Sequence, residues 1–352
     1  MTFALEPYGS KSDVVWSDYR EQANIDLAFI GNSRSAHMFD AERISNGLSE
    51  DSFNLSTPGQ LIDESYLALK KVVNEHRPDT VVYGFDFCDV QGDEFPSPGR
   101  AFIRSKDEGD FAAWLLDAAY CLSDPRCFAA KESINWVFPW LENHAKPNAK
   151  AISGNIEMKL SKSSLPDAAA ANEEGWEYHG CGYGNIQSRL DYNEGPSKIY
   201  SDVYSSQEFD DRKMQTLAAM CDYCKEAGVD FVVVVPPMPV FNIFDMGDTY
   251  FDLSSQARRV VVDHGGEYYD FNLASKDFFN VENTSYYIDY QHLNEAGAVA
   301  ASDAFVGLMK ARAAGADVSS LLCTQEEYMS IHDYVDLLRV DTSVEEDGIH
   351  IE

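Results

Sequence analysis

Blocks of apolar and polar positions alternate along this chain, and their lengths separate strands from helices. Leu27-Ala28-Phe29-Ile30 is a short apolar run that stops at Gly31, as expected of a strand buried on both faces. Phe53 to Leu55, Thr80 to Phe85, Val229 to Val235 (closed by Pro236-Pro237) and Tyr268 to Phe271 supply four more such runs. Longer amphipathic stretches lie around them. Residues 12–23 read as a helix ahead of the first strand, and Ala41 to Leu48 as a short one with Asp40 as its cap. Leu61 to His76 places Leu61, Tyr66, Leu67, Leu69, Val72 and Val73 on one helical face and is stopped by Arg77-Pro78-Asp79. Gln207 to Ala227, Asp248 to His264 and Glu295 to about Ala313 complete the helical set. Strand–helix alternation of this kind predicts an α/β fold, a three-layer α/β/α flavodoxin-like sandwich on a five-stranded parallel sheet. Residues 1–352 then form a single domain.

The alternation fails between residues 90 and 205, which read as an insertion. Asp107 to Leu122 and Ala129 to His144 read as helices rich in aromatics, whereas Ala145 to Pro196 has no period and carries Lys146, Lys150, Lys159 and Lys162. A long insertion at the carboxyl end of a strand serves as a substrate lid or as a plain helical embellishment. Residues 316–352 form an acidic extension with a helical piece at Glu326 to Leu338, expected to pack on the domain or to meet a partner.

Charge narrows the partners. With 59 acidic and 27 basic residues the formal net charge is −32, which disfavours nucleic acid and anionic lipid headgroups. The insertion lysines offset this locally, in a way suited to a phosphate- or uronate-bearing polymer. No apolar run approaches the roughly 20 residues that span a bilayer as a helix. Nothing matches a P-loop or dinucleotide fingerprint, and no cofactor is implied. Seven cysteines leave at least one unpaired. Cys121 and Cys127 flank a turn that a disulfide can close, and Cys221 and Cys224, with His179 and Cys181, contain donors for a zinc site. Thiols packed under a helix, or a pairing to Cys181, are the simpler account, so no metal is assigned.

Two stretches carry the candidate chemistry. Gly31-Asn32-Ser33-Arg34 puts a hydroxyl where a central strand hands over to a helix, and open α/β sheets keep their sites at that end. The same stretch also reads as a loop with a helix-capping serine. Far downstream, Asp289-Tyr290-Gln291-His292 presents a carboxylate and an imidazole from one loop. In that pairing His292 takes the proton of Ser33, and Asp289 orients the ring. His37 is nearer to Ser33 in sequence, but nothing in the sequence orients it as a base.

These residues resemble the SGNH (GDSL-type) hydrolases: G-N-S-R at 31–34 is similar to their first block and D-Y-Q-H at 289–292 to their last. Ser52-Phe53-Asn54-Leu55-Ser56-Thr57-Pro58-Gly59-Gln60 loosely follows the second, glycine-bearing block. Residues 25–87 and 207–312 carry the resemblance, which is nearest to a membrane-anchored bacterial branch containing DltD-like and alginate O-acetyltransferase-like proteins. It implies a Ser33–His292–Asp289 triad, an extracellular location on a bacterial membrane and an anchor preceding residue 1. It also implies an acyl donor with a glycan or polyol acceptor, and a membrane acyltransferase as a partner.

One position departs from the pattern. Where the third block carries an asparagine whose amide serves the oxyanion hole, Tyr83-Gly84-Phe85-Asp86 offers a carboxylate, which donates only when protonated. Backbone N–H groups of Ser33 and Gly59, with the Gln60 amide, are then the expected oxyanion donors. Asn32 belongs to the same neighbourhood, Asn54 is expected to fix the loop, and Arg34 is placed to clamp a carboxylate or phosphate, each with a structural hydrogen-bonding role as the alternative. Two functions follow: a serine acyltransferase or esterase acting on glycan O-acyl groups, and a non-catalytic scaffold that binds a glycan or membrane partner.

Overall fold

The computed structural model describes residues 8–91, 148–161, 164–172, 175–188 and 208–331, with isolated helical positions at 112, 115, 116 and 119. In chain order the elements begin with α1 (Lys11–Tyr19), β1 (Leu27–Gly31), α2 (Ser33–Met38) and α3 (Ala41–Leu48). Next come β2 (Ser52–Asn54), α4 (Ile62–Glu75) and β3 (Thr80–Gly84). Within the insertion lie α5 (Ala149–Ser161), α6 (Leu165–Asn172) and the hairpin β4 (Trp176–Gly180) with β5 (Tyr183–Ile186). The chain closes the sandwich with α7 (Asp211–Ala227), β6 (Asp230–Val235), α8 (Val240–Met246), α9 (Asp248–Asp263) and β7 (Glu267–Asp270). The last two helices are α10 (Glu295–Ala313) and α11 (Gln325–Ile331).

Five strands form one all-parallel sheet in the order β2-β1-β3-β6-β7. Helices α2, α3 and α10 pack together on one side, and α4, α7 and α9 on the other, giving the predicted three layers. The β-branched runs explain the centre. Val81, Val82, Val232, Val233 and Val234 are fully buried, as a strand covered on both faces requires. Strand order reverses between β1 and β3, so their carboxyl ends part and leave the crevice where open α/β sheets place their sites.

Capping chemistry sets several boundaries that periodicity had placed a few residues away. Ser10 and Asp13 form a reciprocal capping box that starts α1 at Lys11. Asp210 accepts from the Lys213 N–H and starts α7 four residues later than the apolar pattern suggested. Asp40 caps α3 as expected, through the Arg43 N–H.

Two structured regions were not legible as such. The stretch 145–196, without period in its sequence, contains α5, α6 and the β4–β5 hairpin. The hairpin is stabilised from outside itself: its turn lies against the edge of β2, where the Asn54 N–H donates to the Cys181 carbonyl at 2.9 Å. Gly182 has φ +78°, and a Cβ there would sit 1.9 Å from the Asn54 carbonyl oxygen, so only glycine lets the turn come this close. Helix α8 was the other omission, short and hidden behind the prolines that end β6.

Cys221 and Cys224 lie in the core on α7, whereas His179 and Cys181 belong to the hairpin. Among the described residues no cluster of three or more His, Cys, Asp or Glu converges as a metal site would require, and no helix is long and apolar enough to cross a membrane. Apart from the helical positions 112, 115, 116 and 119, the helix expected at 107–122 lies outside the described residues, as do the helix expected at 129–144, the Cys121–Cys127 turn, Lys146, Lys162 and the tail beyond residue 331.

Candidate active site

Ser33 is the first residue of α2, immediately beyond β1. Asn32 caps this helix, its side-chain oxygen accepting from the Arg34 N–H at 2.9 Å. The helix can start so close to the sheet because β3 ends in glycine: a Cβ on Gly84 would lie 2.3 Å from the Ser35 Cβ and Oγ. Ser35 is also held by its hydroxyl contact with Ser56, at 2.7 Å. The hydroxyl of Ser33 is thereby fixed at the mouth of the crevice.

The second stretch arrives from the loop before α10. Asp289 shapes this loop by accepting from the Gln291 N–H at 2.7 Å and the His292 N–H at 2.8 Å. Tyr287, fully buried, donates towards the Met238 and Val281 carbonyls, and the Tyr290 carbonyl accepts from Asn242 of α8. The Ile288 N–H donates to the His292 carbonyl at 2.9 Å, and Asn294 caps α10. A loop pinned at so many points holds its side chains still.

Ser33 and His292, separated by most of the chain, meet there. The Ser33 Oγ lies 2.8 Å from the His292 Nε2, and the His292 Nδ1 lies 2.9 Å from the Asp289 Oδ2. Beside a carboxylate, Nδ1 is the protonated nitrogen, so a neutral ring leaves Nε2 bare to accept the serine proton. Burial works to raise the Asp289 pKa, but the His292 hydrogen bond and charge, with the two backbone N–H groups, outweigh it and hold the carboxyl below its usual value. The acid stays ionised and able to stabilise an imidazolium.

The remaining sequence candidates divide into those near the hydroxyl and those spent on the scaffold. Arg34 is buried and pairs with Asp86, Nη1 to Oδ2 at 3.0 Å, while Nη2 donates to the Pro236 carbonyl. The carboxylate that Arg34 clamps is therefore the protein's own. Asp86 likewise has a partner for its charge, and its other oxygen accepts from the Cys88 N–H. The Asn32 amide donates to Asp89 at 2.9 Å. Asp89 in turn accepts from the Tyr83 hydroxyl, and burial with the nearby Asp86 charge pushes its carboxyl up to about 8. Asn54 donates to the Phe39 carbonyl and accepts from the Ser56 N–H.

Gln60 is placed differently from the expectation. It is 2% exposed, its amide oxygen accepts from the Thr57 hydroxyl and its amide nitrogen faces the Ser65 hydroxyl. Its donors are thus turned into the β2–α4 loop. Gly59 is exposed at the tip of that loop. Neither the Ser33 nor the Gly59 N–H is taken by a backbone or side-chain acceptor among the described residues, which leaves both available to an oxyanion.

Sequence reasoning set His37 aside as a base and missed Asn185. His37 stands one helical turn beyond Ser33, with its ring centroid 5.2 Å from that of His292. Asn185, on β5 of the hairpin, holds His37 through Nδ1 at 2.6 Å. The helical spacing from Ser33 to His37 was the available signal. Asn185 gave none, because the hairpin was not visible.

No family profile matches this sequence, and no curated protein is similar to it. Solved structures do match. A proposed acylhydrolase from Bacteroides fragilis is 10% identical, with a TM-score of 0.36 over 85% of this chain and 93% of its own. A GDSL-like lipase from Bacteroides thetaiotaomicron is also 10% identical, with a TM-score of 0.37 over 86% of this chain and 97% of its own.

Proposed function

We propose that this protein is a serine acyl-transfer enzyme that moves O-acyl groups on a cell-wall or exopolysaccharide glycan. The supporting observation is the contact of Ser33 with His292 and of His292 with Asp289, with the backbone N–H of Ser33 itself left open. The Ser33 Oγ attacks the acyl carbonyl while its proton passes to the His292 Nε2. The tetrahedral oxyanion is met by the Ser33 and Gly59 N–H groups. Its collapse breaks the acyl–oxygen bond, and His292 returns the proton to the departing alcohol. A sugar or polyol hydroxyl, or water, then gives its proton to His292 and attacks the acyl-Ser33.

The side-chain amides favour transfer over hydrolysis. Asn32 and Gln60 both spend their donors within the protein, and Asp86 stands where the resemblance leads one to expect an asparagine. Losing one oxyanion donor typically costs on the order of 10²–10³ in rate. A bound acceptor recovers much of that through proximity, whereas bulk water does not. The cell-envelope setting, with a membrane acyltransferase as donor partner, rests on the motif resemblance.

The test is p-nitrophenyl acetate turnover with and without cell-wall oligosaccharide, following acylated sugar by mass spectrometry. Feeble hydrolysis that accelerates with acceptor is expected. Vigorous hydrolysis indifferent to acceptor makes the protein an esterase. No acyl-Ser33 under any condition leaves a glycan-binding scaffold.

A further inference from the structure

His37 and Asn185 form a second polar pair that the acyl-transfer chemistry above does not use. Both are buried, at 6% and 2% exposure. The orientation of the Asn185 amide is fixed by its neighbours. Its oxygen accepts from the Ile186 N–H at 2.8 Å, while its nitrogen donates to the His37 carbonyl at 3.2 Å and faces the Tyr183 hydroxyl at 3.0 Å. The oxygen is therefore the atom 2.6 Å from the His37 Nδ1, and a ring nitrogen facing an acceptor must carry the proton. His37 is thus held as the Nδ1–H tautomer, by both its ring and its backbone carbonyl. That ring packs at a 53° tilt against the imidazole of His292.

We infer that His37 is a positioning residue for His292, held in its Nδ1–H tautomer by Asn185, so that the β4–β5 hairpin sets the imidazole against Ser33. This rests on the acyl-transfer reading of Ser33 and His292. His292 is hydrogen-bonded at its two ring nitrogens, to Asp289 and to Ser33, and the tilt of its ring is left to whatever packs on its flank. His37 fills it from α2, the helix that carries Ser33, so nucleophile and base share one support. Asn185 fixes His37 from β5, and the hairpin itself is seated on the β2 edge through Cys181 and Asn54. An amide at position 185, rather than a carboxylate, keeps the pair uncharged beside a ring that must become cationic. The other charged groups facing His37 are Lys11 of α1 and Asp289 and His292 of the loop before α10.

The experiment measures, on the full chain, the rate at which a fluorophosphonate probe labels Ser33, together with its pH profile and the KM for p-nitrophenyl acetate. A misplacement of about 1 Å can cost roughly 100-fold, so His37→Phe and Asn185→Leu should each slow labelling at least tenfold while KM moves little. His37→Gln, whose amide N–H can still donate to Asn185, should recover much of the rate. Asn185→Asp keeps the shape but sets a carboxylate against Nδ1, which makes His37 titratable and adds a second ionisation to the acid limb. A purely structural role would lower the melting temperature without altering that limb. Labelling within twofold of wild type in both His37→Phe and His37→Gln, with Ser33→Ala unlabelled, overturns the inference and leaves the acyl-transfer reading standing. If wild type itself is unlabelled, that reading fails, and the ¹⁵N resonances of His292 decide instead. Their displacement in folded His37→Phe supports positioning, and their identity to wild type overturns it.

Discussion

Arg34 and Asp86 face each other at 3.0 Å with each side chain only 2% exposed, joining the start of the serine helix to the end of β3. A charge buried this deeply is tolerable only while its counterpart is present. Arg34→Met should therefore destabilise the protein by about 3–5 kcal/mol, because the buried Asp86 carboxylate loses this counter-charge. The Arg34→Met/Asp86→Asn double variant should be less damaged than the sum of the singles. Urea unfolding of the four proteins measures this, and an Arg34→Met variant as stable as wild type would refute it.

On the proposed acyl-transfer reading, Ser33, His292 and Asp289 should behave as a unit. Because the hydroxyl needs the imidazole and the imidazole needs its carboxylate, Ser33→Ala and His292→Ala should each remove nearly all turnover. Combining them should cost little more. Single-turnover kinetics with an activated ester reads this directly, and full activity in Ser33→Ala would eliminate Ser33 as nucleophile.

His37 makes a prediction about acid. Burial, aided by the His292 and Lys11 charges, lowers its pKa from 6.5 to about 3, against the smaller opposing effects of Asn185 and Asp289. The unfolded chain binds this proton more readily than the folded one, so the pair stabilises the fold above pH 6.5 and that stability is lost as pH falls towards 3. His37→Phe should flatten the decline over this window, although it starts from a lower plateau. Melting curves between pH 7 and 4 provide the measurement, and parallel curves would be the contrary result.

Gly84 offers a steric test. An added Cβ would fall 2.3 Å from Ser35, so the helix carrying Ser33 must move. Overpacking of this kind costs roughly 1–3 kcal/mol, and a displaced nucleophile loses on the order of 100-fold in rate. Gly84→Ala should therefore lose more activity than stability, whereas unchanged kinetics would show that the helix has room to shift.

What was readable in the sequence follows from where each signal is stored. Strands such as Val229 to Val235 announce themselves because burial on both faces demands unbroken apolar runs, and the five-stranded sheet was legible for that reason. Ser33, Asp289 and His292 were legible because a strand-end hydroxyl and a D-x-x-H loop are local patterns. Gln60 was misplaced because loop composition says nothing of which way an amide turns, and Thr57 and Ser65 turn it inward. Asp86 looked like a missing donor until Arg34, remote in sequence, accounted for it. The hairpin escaped notice because Trp176 to Ile186 is rich in glycine, and its seating depends on the β2 edge and His37 rather than on its own alternation.

The seating of that hairpin has a consequence for the whole particle. β2 is the terminal strand of the sheet, and a bare terminal strand offers its free amides to any passing extended chain. The Cys181 carbonyl and the close-fitting Gly182 occupy that position instead. A shortened protein lacking residues 176–186 would uncover the strand, and would be prone to self-association through it. The segment that holds His37 is also the one that keeps one molecule from adding itself to the next.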